Sequence, residues 1–455
     1  MIMAKFKRKI YSRIAQWKKE SHGRTALLIE GARRVGKSTI AEEFGKNEYA
    51  SYLLIDFSKA GIEIKNIFRN HLDNLDLFYQ LLQVQTGIRL EKGNSLLVFD
   101  EVQRFPRARE AVKALVADGR YDIIETGSLI SIRENVSGIV IPSEEESISM
   151  YPMDFEEFLT ACGEEQLIAY IRDCFEHCRP LEESIHRKAT LLVRQYMIVG
   201  GMPQSVAAYI DQGLDFYEAD KAKRSILALY RNDIMKAERK YRTKVMTVYD
   251  QIPGFLSRHG KTIVMNELEE NGRYSGYSDS FFWLKDSMIV NLCTACTDPN
   301  VGMALSENVS KLKCYMGDTG LLLSHTFTEK EIQDGMLYKK LLNNRLSVNK
   351  GMFFENLVAQ MLRVNGHDLY FYTHYNAEKK RNDVEIDFLL SNGSKTNFKV
   401  TPIEVKSANN YSTISLDDFR KRFPKRVSGA YVIHPKNFSQ ENGVTYIPVY
   451  MTFLL

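Results

Sequence analysis

A chain of 455 residues is longer than one ordinary hydrophobic core organises, so about two to four domains are expected. Its 44% hydrophobic and 26% charged residues exclude long disordered tracts, and a net charge of +4 is too small to announce a nucleic-acid binder by itself. No apolar run approaches the roughly 18 to 20 residues that span a bilayer, so no membrane partner is expected.

The chain opens on Ile10, Ile14 and Trp17 at helical spacing among basic residues, which is not the continuous apolar stretch of a secretion signal. The six cysteines show no regular framework. Cys293 and Cys296 form a lone CxxC without the further ligands that zinc needs, so free thiols and a cytoplasmic chain are expected.

Ala26-Leu-Leu-Ile29 reads as a short strand running into Gly31-Ala-Arg-Arg-Val-Gly36-Lys37-Ser38-Thr39, followed by a helical pattern. Glycines let the backbone turn its N–H groups inward, and the helix N-terminus adds positive potential. The spacing predicts a phosphate cradle built from Gly31, Arg33, Arg34, Gly36, Lys37, Ser38 and Thr39, with Lys37 on the β and γ phosphates and Ser38 on Mg²⁺. ATP and Mg²⁺ are the expected cofactors.

Leu96-Leu-Val-Phe-Asp100-Glu101 is an apolar strand ending in two acids: Asp100 as the acid on the Mg²⁺ side, Glu101 as the group that orients attacking water. Tyr52–Asp56 is another strand candidate. Tyr121–Ser128 is a further apolar strand ending in hydroxyls, so Thr126 or Ser128 could sense the γ-phosphate. Alternating strands and helices predict a parallel sheet with ligand at its carboxyl edge. Arg104, Arg107, Arg109 and Arg133 are available as an arginine finger, and nothing in the sequence chooses among them.

From about Tyr151 to Tyr241 helical periodicity dominates, and Gly200-Gly201 before Pro203 reads as a hinge or a helix cap. Short helices then precede two strand candidates, Leu284–Val290 and Leu312–Met316, a pattern compatible with a winged helix whose recognition helix, Ser278–Ser287, carries Lys285 as its one cation.

The pattern Glu-x-Lys occurs four times, beginning at Glu63, Glu238, Glu378 and Glu404, so spacing alone is uninformative. Context separates Glu404. Glu355 sits on a helical pattern, Asp387 on the strand Val384–Leu390, and Glu404-Val-Lys406 on the next strand after a turn at 392–394. Three carboxylates that fix a metal and a lysine that steers water are what phosphodiester hydrolysis uses. Glu355, Asp387 and Glu404 are thus candidate metal ligands, with Asp387, Glu404 and Lys406 catalytic. Lys379, Lys380, Arg381, Lys421, Arg422, Lys425 and Arg426 could follow a DNA backbone, and Tyr370, Tyr372 and Tyr375 could stack on bases.

The order GARRVGKST, LLVFDEVQ, IIETGS, Tyr151-Pro-Met-Asp-Phe-Glu-Glu-Phe158, Val199-Gly-Gly-Met-Pro203, Lys313–Leu322 and Gly351–Val358 resembles a prokaryotic family of AAA-type P-loop ATPases with a C-terminal module of unknown function. The helix, Asp strand and Glu-x-Lys strand resemble the PD-(D/E)xK nuclease core. The chain departs from the family pattern at Leu129–Met150, a longer insert where relatives have a short stretch with a Gly-Arg pair; no finger is carried over.

These resemblances imply an α/β protein: a P-loop AAA-type parallel-sheet domain (1–150), a helical lid (151–243), a winged-helix-like segment (244–330) and a restriction-endonuclease-like domain (345–455). They imply no settled cellular role; the first reading is an ATPase whose nucleotide cycle acts on DNA handled by its C-terminal half, with metal-dependent nuclease activity there left open. The alternative is an ATP-driven scaffold whose nuclease-like domain is inactive and binds protein.

Overall fold

The computed structural model describes residues 6–127, 144–237, 239–269, 272–300, 302–332, 335–343, 350–378, 380–391 and 399–455. Two compact units are present, one built on Phe6–Tyr151 and the other on Pro152–Lys285 with Ile289–Leu455. Among the described residues no helix is long and apolar enough to cross a membrane.

In the first unit, strands β1 (Ala26–Gly31), β2 (Ser51–Asp56), β3 (Ser95–Asp100), β4 (Asp122–Gly127) and β5 (Glu145–Met150) form a sheet in the order β2-β3-β4-β1-β5. Every pairing is parallel. A parallel sheet is covered on both faces, which explains why its strands read as unbroken apolar runs; all six residues of β3 are buried. One face rests on an aromatic cluster in which Phe57, Phe68, Phe99 and Phe105 meet with ring centroids 5.4–6.2 Å apart. The expected strands at the phosphate loop, at Tyr52–Asp56 and at the paired acids are all present. The insert contributes more than a connection, because its last six residues are the edge strand β5, paired with β1 from Ala26↔Glu145 to Gly31↔Met150.

The second unit begins with six helices: Phe155–Ala161, Glu165–Glu176, Glu183–Val199, Pro203–Asp211, Phe216–Ile234 and Arg239–Leu256. An eight-stranded mixed sheet follows. Its strands are β6 (Val290–Cys296), β7 (Glu307–Met316), β8 (Tyr370–Asn376), β9 (Arg381–Ser391), β10 (Val400–Val405), β11 (Tyr431–His434), β12 (Ser439–Glu441) and β13 (Val444–Pro448), in the order β12-β13-β11-β10-β9-β8-β6-β7. Of the two strands expected in a separate winged segment, Leu312–Met316 lies in β7 of this sheet, whereas Leu284–Val290 is the end of helix Ser278–Asp286 and reaches only the first residue of β6, which runs parallel to β8 through Thr294↔Tyr370. The helix expected to enter a DNA groove, Ser278–Asp286, buries Phe281, Trp283 and Leu284. Helix Lys350–Val364 is buried at every position from Met352 to Leu362, as a helix apolar on nearly all sides requires.

Gly200 and Gly201 close helix Glu183–Val199 and are packing residues. A Cβ on Gly201 would lie 1.9 Å from the Met153 carbonyl oxygen, and one on Gly200 would lie 2.3 Å from Asp318 Oδ1. The Gly201 N–H donates to Asp318 Oδ2 (2.6 Å), its carbonyl accepts from Met153 N–H (2.7 Å), and Gln360 donates to the Tyr196 hydroxyl (2.9 Å), which in turn donates to the Met153 carbonyl (2.6 Å). Three of the stretches that carry the family resemblance thus meet in one buried polar node.

Candidate functional site

The phosphate loop follows from local backbone demands. Gly36, at φ +101°, caps the helix Lys37–Glu48 in a left-handed conformation that side chains disfavour, and Arg34 adopts φ +71°. Gly31 is fixed by space, since a Cβ there would lie 2.4 Å from the Met150 carbonyl oxygen on β5. Arg33 is half-buried, while Arg34 and Thr39 are exposed.

Lys37 is buried, and its ammonium donates to the carbonyls of Gly31 (2.9 Å) and Ala32 (3.1 Å). Burial lowers its pKa to about 8; the charges of Glu101 and Asp100 oppose that shift, and Arg33 reinforces it. The Ser38 hydroxyl donates to Asp100 Oδ1 at 2.8 Å, and the Thr126 hydroxyl donates to the same oxygen. The topology makes this convergence: β4, with Thr126, lies between β1, which leads into Ser38, and β3, which ends in Asp100. Glu101 follows in a left-handed conformation (φ +56°), and its Oε2 accepts from the Gln103 amide at 2.6 Å.

Ser38 and Asp100 fit Mg²⁺. Their oxygens stand 2.8 Å apart, close to the spacing of adjacent ligands around an octahedral ion with bonds of about 2.1 Å. Ser128 and Arg133 lie outside the described residues. Of the other arginines considered as fingers, Arg109 is buried against Glu145 (2.7 Å) and Glu125 (3.9 Å), and Arg107 pairs with Glu110 (2.5 Å). Arg109 is therefore a structural residue of its own unit.

The second unit contains a cleft of about 580 Å³ lined by Lys261, Glu355, Asp387, Glu404, Lys406 and Tyr411, among others. Glu355, Asp387, Glu404 and Lys406 are thus brought together as the sequence predicts. The Lys406 ammonium donates to Glu404 Oε1 at 2.5 Å, and Asp387 Oδ2 accepts from the Val405 N–H at 2.8 Å. Burial raises the Glu404 carboxyl to about 7, against the pull of Lys406.

The arrangement does not fit a divalent ion shared by these carboxylates. Lys313, fully buried on β7, places its ammonium 3.1 Å from Glu355 Oε1, 3.5 Å from Asp387 Oδ1 and 3.9 Å from Glu385 Oε1. Lys261 contacts Glu355 Oε2 at 2.5 Å, and the Tyr315 hydroxyl donates to Glu355 Oε1 at 2.5 Å. Burial acts to raise the Glu355 carboxyl, but Lys313 and Lys261 outweigh it and hold the group at about 2. Among the described residues no group of three or more acidic, histidine or cysteine side chains is arranged to hold a metal. Glu355, Asp387 and Glu404, expected as metal ligands, all line this cleft, with Lys313 and Lys261 paired to Glu355 and Lys406 to Glu404.

Sequence reasoning missed Lys313, Lys261 and Glu385. Glu385 shares a strand face with Asp387, and Lys313 interrupts the apolar run Leu312–Met316; both signals were present in the sequence. The tyrosines divide: Tyr372 is core, 5.2 Å from the Phe419 ring, whereas Tyr375 is 59% exposed. Lys380, Arg381, Lys421, Arg422 and Lys425 are exposed, and Arg426 pairs with Asp298. Lys379 and the turn at 392–394 lie outside the described residues.

Residues 23–159 match a family described as an AAA domain, and residues 190–331 and 350–452 match two domains of unknown function, DUF8612 and DUF4143. No curated protein matches. Solved structures similar to this chain include a Walker-type ATPase of Pyrococcus abyssi, at 17% identity and a TM-score of 0.44, covering 71% of this chain and 96% of that one. Another is Cdc6p from Pyrobaculum aerophilum, at 12% identity and a TM-score of 0.27, covering 76% of this chain and 96% of that one. The chain carries an AAA-type P-loop ATPase domain, followed by two domains without an assigned function.

Proposed function

We propose that this chain hydrolyses ATP at the loop Gly31–Lys37 and uses the nucleotide cycle to switch a partner-binding C-terminal half. The observation that carries the reading is the Ser38–Asp100–Thr126 hydrogen-bonded chain beside the buried Lys37. Phosphoryl transfer needs little covalent chemistry from the protein; it needs positioning and charge.

In this reading Lys37 exchanges its carbonyl partners for the β and γ phosphate oxygens. Thr126 and Ser38 fix Asp100. Glu101, held through one oxygen by Gln103, accepts a hydrogen bond from the attacking water through the other. Mg²⁺ bound with the nucleotide would be held by Ser38 and Asp100 and would neutralise charge on the transferring phosphoryl group. The test is ATP turnover: Lys37→Ala and Glu101→Gln should each lower it by about 100-fold or more. Wild-type turnover in both would overturn the assignment.

For the C-terminal half, the exposed cations Lys380, Arg381, Lys421, Arg422 and Lys425 support DNA as the partner. The lysine-filled carboxylate cluster favours binding without cleavage. A second reading, in which this half engages a protein, rests on the same cluster. The discriminating measurement is DNA mobility shift at low salt, where backbone contacts are strongest: binding that weakens steeply with salt supports DNA, and no binding leaves the protein partner.

A further inference from the structure

We propose that Lys313 is the resident cation of the nuclease-like cleft: its ammonium stands among Glu355, Glu385 and Asp387 where a divalent ion would otherwise bind, and the cleft works without metal. The inference does not depend on ATP hydrolysis and survives its failure.

Three observations carry it. The first is place. Lys313 comes from β7, at the far edge of the sheet order from β12, whereas Glu385 and Asp387 come from β9 and Glu355 from the helix Lys350–Val364; three carboxylates from two other elements converge on one nitrogen, at 3.1, 3.5 and 3.9 Å. A buried ammonium is tolerated where carboxylates surround it, and buried carboxylates are tolerated where a cation does. Each accounts for the other.

The second is saturation. Glu355 accepts from Lys313, Lys261 and Tyr315, which leaves its oxygens engaged by protein donors, and Asp387 Oδ2 is taken by the Val405 N–H. A hard divalent ion needs six or more oxygens within about 2.6 Å and takes carboxylates that are free to turn towards it. The third is charge. An ion bound to Glu355 Oε1 or Asp387 Oδ1 would sit against the Lys313 ammonium in a buried site, where like charges are poorly screened. The Phe371 ring, 5.1 Å from the same nitrogen, closes a further side with an aromatic face that favours a cation already present.

The experiment is a Mn²⁺ titration followed by electron paramagnetic resonance, on nucleotide-free full-length protein, comparing wild type, Asp387→Asn, Lys313→Met and the double variant. Methionine keeps the length of the lysine stem and removes its charge. Wild type and Asp387→Asn should bind Mn²⁺ identically. Lys313→Met should take up one additional Mn²⁺ per chain, lost again in the double variant. Mn²⁺ bound by wild type and lost in Asp387→Asn would overturn the proposal, as would a folded Lys313→Met protein with no added site. Should Lys313→Met fail to fold, which circular dichroism reports, the wild-type and Asp387→Asn pair still decides.

Discussion

Lys37 shows how a single buried side chain links pH to function. In the proposed reaction its ammonium meets phosphate in the charged form, yet burial lowers its pKa to about 8, and the nearby Glu101 and Asp100 carboxylates offset only part of that cost. Below about pH 8 the free protein carries the charge. As pH rises through that value the free protein loses the proton, while nucleotide phosphates favour the charged form. ATP affinity should therefore be level between about pH 6.5 and 7.5 and weaken by up to about tenfold per pH unit above 8. Calorimetric titration across pH 6.5–9.5 checks this; a flat affinity would show that Lys37 stays charged in the free protein. The place of this residue was legible in the sequence because it is set locally: strand, loop, lysine and helix are contiguous. Lys313 was not legible in that way. Its partners lie 42, 72 and 74 positions further along the chain, and strand pairing, not spacing, brings them to it.

At the level of elements, the glycine pair after helix Glu183–Val199 is a close approach of three loops. Because a Cβ on Gly201 would overlap the Met153 carbonyl at 1.9 Å, Gly201→Ala must displace either the turn or the chain entering helix Phe155–Ala161. Overpacking of this kind costs about 1–3 kcal/mol. Chemical denaturation should show that loss, and an unchanged midpoint would mean that the two backbones do not touch. Sequence periodicity marked 151–241 as helical and found β1 to β4, β7, β9 and β10, since amphipathic spacing and apolar runs are properties of single segments; β8 and β11 to β13 it did not name. It set β7 apart from the sheet it belongs to, and it read Leu284–Val290, the end of helix Ser278–Asp286, as a strand in place of β6. Two strands after short helices fit a winged helix locally, yet Thr294 pairs with Tyr370, a partner 76 residues away that no local pattern names. The edge strand β5 was hidden for a related reason: Glu144-Glu-Glu146 gives it a charged start that reads as a loop.

Across the whole molecule the chain forms two compact units. The first has a parallel sheet whose carboxyl edge gathers Lys37, Ser38, Asp100, Glu101 and Thr126, the set that nucleotide hydrolysis needs. The second has a cleft in which Glu355 pairs with Lys261 and Lys313, and Glu404 with Lys406. The central claim is that the first unit turns over ATP through Glu101. It is tested most directly by measuring phosphate release from Mg²⁺·ATP by Glu101→Gln beside wild type, with nucleotide binding measured on both. Glutamine keeps the size of the side chain and removes the negative charge that orients water. Equal ATP binding is expected, with turnover lower by about 100-fold or more in the variant. Equal turnover by the two proteins would contradict it.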